Sequence, residues 1–190
     1  MPSISGEADY SIRNAFSSAA TTTQVVNGLR VLSHILPHKD YANPSIIART
    51  VKIALGDGSE IARQEANNAL VCLIRQHPEC TPAILKELDD KGANPRTPDT
   101  RPYFREAAQA SLGVLLRHCP ALVPDILPYA RDALLDDSRR VQNAGLRNIR
   151  LIGDLYPEFK PAAEDAVRLY TAASRTRESS LRTARRYGLH

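Results

Sequence analysis

The stretch RHCPALVPDIL, residues 117–127, sets two prolines four residues apart between two apolar runs. RQHPECTPAIL at 75–85 repeats the arrangement, Pro157 and Pro161 repeat it again, and ILPHKDYANPSII at 35–47 is a looser version. With Pro37, Pro78, Pro120 and Pro157 as markers, the spacings are 41, 42 and 37 residues, a period typical of repeat architectures. Eight residues before the markers stand Leu29, Leu70, Leu112 and Ile149, and five before them stand Leu32, Leu73, Leu115 and Ile152. Twelve before them stand Val25, Ala66, Ala108 and Gly145, mostly small.

Those positions fall at i, i+4 and i+7, one face of an α-helix. Each marker proline therefore closes an apolar-faced helix, here called A, because proline cannot continue a helix and pushes the preceding residue into extended geometry. The second proline suits the first turn of a following helix, B, where its missing N–H costs nothing. Two helices joined by so few residues fold back as an antiparallel hairpin. The pattern predicts A helices over 22–36, 59–76, 102–118 and 138–156, and B helices over 44–56, 82–90, 122–136 and 160–174. Residues 8–20 are expected to form a capping helix that covers the apolar face of the first unit.

Between units, Asp57-Gly58 reads as a helix stop, and Asp136, Asp137 and Ser138 supply N-cap chemistry before the fourth A helix. DKGANPRTPDTRP, residues 90–102, carries three prolines and lengthens the connection between the second and third units. It reads either as a solvated loop or as a contact loop at the edge of a binding surface. Strand signals are weak throughout.

The A-helix stretches ARQEANNALVCL (62–73), FREAAQASLGVL (104–115) and VQNAGLRNIRLI (141–152), with the acidic lead-in LLDDSRRV, resemble the first helix of HEAT repeats. The likeness covers about residues 22–174 and is weakest in TTQVVNGLRVL of the first unit. The family's frequent arginine stands at Arg63 and Arg105, whereas the fourth unit has Gln142. The resemblance implies an all-α, right-handed α-solenoid of about four helix hairpins with the B helices lining a concave side. Residues 1–21 would be an N-terminal segment with the capping helix, and 175–190 a basic helix or tail. Such surfaces commonly bind a partner protein or an extended peptide, less often nucleic acid; that step is analogy from fold.

Composition agrees with a soluble globular chain: 43% hydrophobic and 24% charged. No apolar run approaches the roughly 20 residues of a membrane span, and MPSISGEADY lacks a basic-then-apolar order, so a cytoplasmic location is expected. Cys72, Cys80 and Cys119 form no CxxC and read as reduced structural cysteines. His34, His38, His77, His118 and His190 form no HExxH and no His-Glu pair, and neither GxxxxGK[ST] nor GxGxxG occurs. His77 and His118 end A helices, where a cation suits the helix dipole. The His-Glu pairs of deoxyhypusine hydroxylases, iron enzymes of similar fold, are absent. No cofactor and no metal is expected, and the chain reads as a non-enzymatic adaptor or scaffold.

Charge is unevenly spread. Residues 1–138 hold 14 basic and 16 acidic side chains (−2), and residues 139–190 hold 11 basic and 5 acidic (+6), summing to +4. Arg140, Arg147 and Arg150 share one face of the fourth A helix, and Arg175, Arg177, Arg182, Arg185 and Arg186 follow against a single Glu178. Three readings of this region stay open: a solvated capping helix, a dock for an acidic protein segment, or phosphate contact with DNA or RNA. On the concave B-helix face, Tyr129, Arg131, Arg168 and Tyr170 are the expected partner contacts, since aromatics and arginine dominate interface energetics. Three Phe, seven Tyr and no Trp weaken a single-strand reader and a HEAT-like alkylpurine DNA glycosylase, whose pocket relies on aromatic residues including Trp. An open-ended stack also leaves ends through which copies could pair.

Overall fold

The computed structural model describes residues 4–17, 19–35, 43–56, 59–90 and 102–186, with side chains within those ranges at 10–172, 174 and 175. The helices are α1 (Ile4–Ala15), α2 (Thr22–Ile35), α3 (Pro44–Leu55), α4 (Glu60–Gln76), α5 (Thr81–Leu88), α6 (Pro102–His118), α7 (Val123–Ala133), α8 (Arg139–Leu155) and α9 (Lys160–Arg186). Among the described residues there is no strand, and no helix is long and apolar enough to cross a membrane. The fold is all-α. Pro37, Asp57-Gly58 and residues 91–101, to which the sequence assigns a joint, a stop and a loop, lie outside the described residues.

The proline markers convert into a repeated backbone geometry. His77, Cys119 and Tyr156 precede the marker prolines with φ/ψ of −134/70, −136/76 and −130/85, the extended geometry that proline imposes on its predecessor. Each proline then opens a short 3₁₀ turn: Pro78–Cys80, Pro120–Leu122 and Pro157–Phe159. The same two hydrogen bonds close each joint. His77 N–H donates to Leu73 O at 2.7 Å, Cys119 N–H to Leu115 O at 2.8 Å and Tyr156 N–H to Ile152 O at 2.9 Å. Cys80, Leu122 and Phe159 N–H then donate to the carbonyls of His77, Cys119 and Tyr156 at 2.9, 3.0 and 2.9 Å. Pro82, Pro124 and Pro161 stand in the first turns of α5, α7 and α9.

The A helices form a row: α2 packs on α4, α4 on α6 and α6 on α8, while α1 covers α2. Helices α3 and α7 pack against the A helices that follow them, α4 and α8, and α9 closes the row against α8. The positions read from the sequence as the apolar face make the core. Leu29, Leu32, Leu70, Leu73, Leu112, Leu115, Ile149 and Ile152 are each 0% exposed, and full burial of such a side chain stabilises by roughly 1.5–3 kcal/mol. The small residues of the pattern mark close approaches. A Cβ on Gly145 would lie 2.7 Å from Ala133 Cβ and 2.9 Å from Ala130 O, so α8 and α7 touch backbone to backbone there.

Three boundaries differ from the sequence expectation; one is the third B helix, expected to run to 136, which ends at Ala133 in α7. The capping helix spans 4–15 rather than 8–20, since Ser17 bonds back to Asn14 O and the chain turns before α2. The division at 174/175 falls inside α9, because no proline or glycine occurs between Pro161 and Gly188 to stop the helix.

Candidate functional site

One open groove lies between α7 and α9. It encloses about 520 Å³ and is lined by Leu127, Pro128, Arg131 and Leu135 on one side and by Leu169 and Tyr170 on the other. Leu135 and Leu169 are 70% and 54% exposed, unusual for leucines facing each other across an open cleft. Arg131 is exposed and forms no salt bridge among the described residues.

Local chain geometry explains why Leu135 points outward. Helix α7 ends at Ala133, and the next residues tighten into turns: Leu134 N–H donates to Arg131 O at 3.1 Å and Leu135 N–H to Asp132 O at 3.0 Å. Leu134 is buried and Leu135 is thrown out. The turn is held by Asp136, whose carboxylate is buried and receives Arg105 Nε at 2.7 Å and Nη2 at 3.0 Å. Asp136 also accepts the Ser138 N–H at 2.8 Å, and Arg105 reaches the exposed Asp137 at 2.7 Å. Burial pushes the Asp136 carboxyl pKa up, but the hydrogen bonds from Arg105 and Ser138 outweigh it and hold it below the usual carboxylate range.

Gln142 ties this turn to the opposite wall. Its Nε2 donates to Asp136 O at 2.6 Å, and its Oε1 accepts the Tyr170 hydroxyl at 3.2 Å. A side-chain amide has both a donor and an acceptor, whereas the arginine found at the equivalent positions 63 and 105 can only donate. Gln142, a departure from the repeat in sequence terms, is thus the residue that connects both sides of the groove. Sequence reading missed this role, and it missed Leu135 and Leu169.

The four expected concave-face contacts do not come together. Arg131 and Tyr170 line the groove. Tyr129 is half-buried on another side of α7, where burial first, and then Asp89, Asp125 and Asp90, raise its phenol pKa. Arg168 lies on the outer side of α9, bonded to Asp165 at 2.5 Å, and lines a separate groove with Arg150 between α8 and α9. Arg140, Arg147, Arg150 and Arg175 are exposed, while the side chains of Arg177, Arg182, Arg185 and Arg186 lie outside the described residues.

His77 caps α4 and its Nδ1 lies 3.3 Å from Glu79 Oε1; the His118 carbonyl at the end of α6 accepts Arg75 Nη2 at 3.0 Å. The cysteines are free, and burial raises the thiol pKa of Cys80 and Cys119. Among the described residues no cluster of three or more His, Cys, Asp or Glu could hold a metal ion. No family model matches the chain, and no curated protein or solved structure is significantly similar to it.

Proposed function

We propose that this chain is a HEAT-like α-solenoid module that works by binding another protein, without catalysis, through the α7/α9 groove. The row of A helices and the three equivalent proline joints support the repeat reading. The observation that carries the functional reading is the pairing of exposed Leu135 and Leu169 across an open groove braced by Gln142. The occupant that fits is a short segment of a partner protein with two large apolar side chains, for Leu135 and Leu169, and an acidic residue beside them for Arg131, which has no salt-bridge partner among the described residues. Aromatic and arginine contacts at the rim suit the same role.

A peptide library displayed on phage tests this even while the partner is unidentified. Selection against the wild-type chain is expected to enrich apolar peptides with a neighbouring acidic residue. Those peptides should lose at least about tenfold in affinity for a Leu135→Asp/Leu169→Asp variant, since each leucine contributes roughly 1.5–3 kcal/mol on full burial. Both side chains are exposed, so the variant is expected to fold. Enriched peptides that bind wild type and variant equally would place the interface elsewhere.

A further inference from the structure

A second surface lies on the outer side of the last two helices, away from the α7/α9 groove. Arg140, Arg147 and Arg150 are all exposed along one face of α8, at steps of seven and three residues. Arg168 and Arg175 are exposed on α9, seven residues apart. The two rows meet at the α8/α9 seam, where Arg150 and Arg168 line one groove of about 340 Å³. The seam is narrow because a Cβ on Gly153 would already stand 3.3 Å from Ala163 Cβ.

Of these arginines only Arg168 has a carboxylate partner; Arg140, Arg147, Arg150 and Arg175 form no salt bridge among the described residues. Helix α8 opens with Arg139 and Arg140, and the acidic residues at that end, Asp136 and Asp137, stand just ahead of its N-cap Ser138 and are bonded to Arg105. At the Pro157 end of the seam the surface is mixed, with Asp154 and Glu164 beside Arg150 and Lys160. Among the described side chains, positive charge lies toward the start of α8 and, on α9, at Arg168 and Arg175.

We infer that this two-row arginine seam is a binding site for the phosphate backbone of a nucleic acid. Two features select phosphodiester over an acidic protein segment. The cations are arginines, whose planar fork matches phosphate and carboxylate oxygens alike, so the residues between them decide. The face presents small or polar residues between them, Asn143 on α8 and Thr171 and Ala172 on α9. Its one large exposed apolar residue, Leu155, stands at the mixed end, whereas the rest lie elsewhere. A protein interface draws its energy from buried apolar and aromatic anchors, and this seam offers none along its basic length. Repeated cations without anchors or stacking rings suit backbone contact, which positions a nucleic acid without reading its sequence.

The test is fluorescence anisotropy of the whole chain with labelled 20-nucleotide probes, in four arms: single- and double-stranded DNA, single- and double-stranded RNA. Binding in at least one arm at 50 mM salt is expected, independent of base sequence. Neutralising three to five phosphates predicts a loss of roughly 40- to 500-fold in affinity between 50 and 200 mM salt. An Arg140→Ala/Arg147→Ala/Arg150→Ala variant should lose at least about tenfold at 50 mM and flatten the logarithmic salt slope by about 2.7. Its circular dichroism and melting should match the wild type, as the three side chains are exposed. A Leu135→Ser/Leu169→Ser variant, which adds no charge, should bind the probes as wild type does, so the outcome is independent of the groove on the other side of α9. No binding in any arm, a triple variant with wild-type affinity and slope, or displacement of the probe by polyglutamate as readily as by unlabelled probe would each overturn the assignment.

Discussion

Replacing Arg105 by methionine keeps much of the side-chain volume and strands a carboxylate. Asp136 has a side chain 1% exposed and Arg105 one 8% exposed, so the pair is out of water on both sides. Without the guanidinium, Asp136 keeps the Ser138 N–H but loses the donors at 2.7 and 3.0 Å. Removing one partner of a buried pair costs about 3–5 kcal/mol, because the other charge stays buried and uncompensated. The bond from Arg105 to Asp137 adds little, since that carboxylate is 89% exposed. For a chain of this length the loss corresponds to a fall in Tm of roughly 6–20 °C.

The pH dependence separates this cause from a packing defect. In the wild type the Asp136 pKa is depressed, so its contribution is complete above the unfolded value near 3.9 and is lost as pH falls through the lower folded value. In Arg105→Met, burial is opposed mainly by the Ser138 N–H, so the same pKa rises above its wild-type value; the carboxyl takes up a proton earlier on acidification and the penalty is relieved. Urea unfolding at pH 7 and pH 4.5 should therefore show a gap between wild type and variant that narrows at the lower pH. Adding Asp136→Leu should recover most of the loss, the usual result when both halves of a buried pair are replaced. A loss under about 1 kcal/mol at pH 7, or a gap equal at the two pH values, would refute the reasoning.

Other perturbations have equally definite signs. Gly145→Ala should cost about 1–3 kcal/mol by overpacking, because the new Cβ meets Ala130 O at 2.9 Å. Gly153→Ala should be close to neutral in the same urea titration: its Cβ meets only Ala163 Cβ at 3.3 Å, and alanine regains about 1 kcal/mol of helix propensity. Ser111→Ala should stabilise by about 1 kcal/mol, since the Ser111 hydroxyl is buried without a hydrogen-bond partner among the described residues. Asn148→Ala should do the opposite and cost about 2–3 kcal/mol, because it leaves buried Gln109 without its donor.

How far the fold could be read from the chain depended on which forces set each feature. Core positions such as Leu70 and Ile149 were legible because burial of an amphipathic face follows a period, and a period survives in one dimension. The joints were legible for the same kind of reason: proline acts on its own φ and on its neighbour's backbone, with no need of tertiary contact. Leu135 was not legible, because a helix prolonged to 136 and a helix ended at 133 share one sequence, and the anchoring of Asp136 by Arg105 from another helix decides between them. Gln142 likewise read as a lapse in a pattern until Tyr170, 28 residues away, supplied the hydroxyl. The arginines of α8 were placed correctly on one face by their spacing, but that they flank a seam with α9 is a matter of packing.

The polar residues between A helices show why the stack is held in one register at this end of the chain. Eleven residues before one marker and nine before the next stand Val26 with Ala69, Asn67 with Ser111, and Gln109 with Asn148. The first pair is apolar and the second leaves Asn67 Oδ1 and Ser111 Oγ without hydrogen-bond partners among the described residues. In the third, Asn148 Nδ2 donates to Gln109 O at 2.7 Å and to Gln109 Oε1 at 3.1 Å, while Gln109 Nε2 reaches Tyr129 O at 3.2 Å. Gly113 makes the space, since a Cβ there would stand 2.6 Å from Asn148 Oδ1. Apolar contacts alone tolerate sliding by a helical turn, because one leucine replaces another at similar free energy. A buried amide pair does not: a shift of α8 along α6 would leave two carboxamides unsatisfied, at about 1–3 kcal/mol each. The α6/α8 interface is therefore fixed where the groove and the arginine seam are built, and both surfaces require α8 to stay in place against its neighbours.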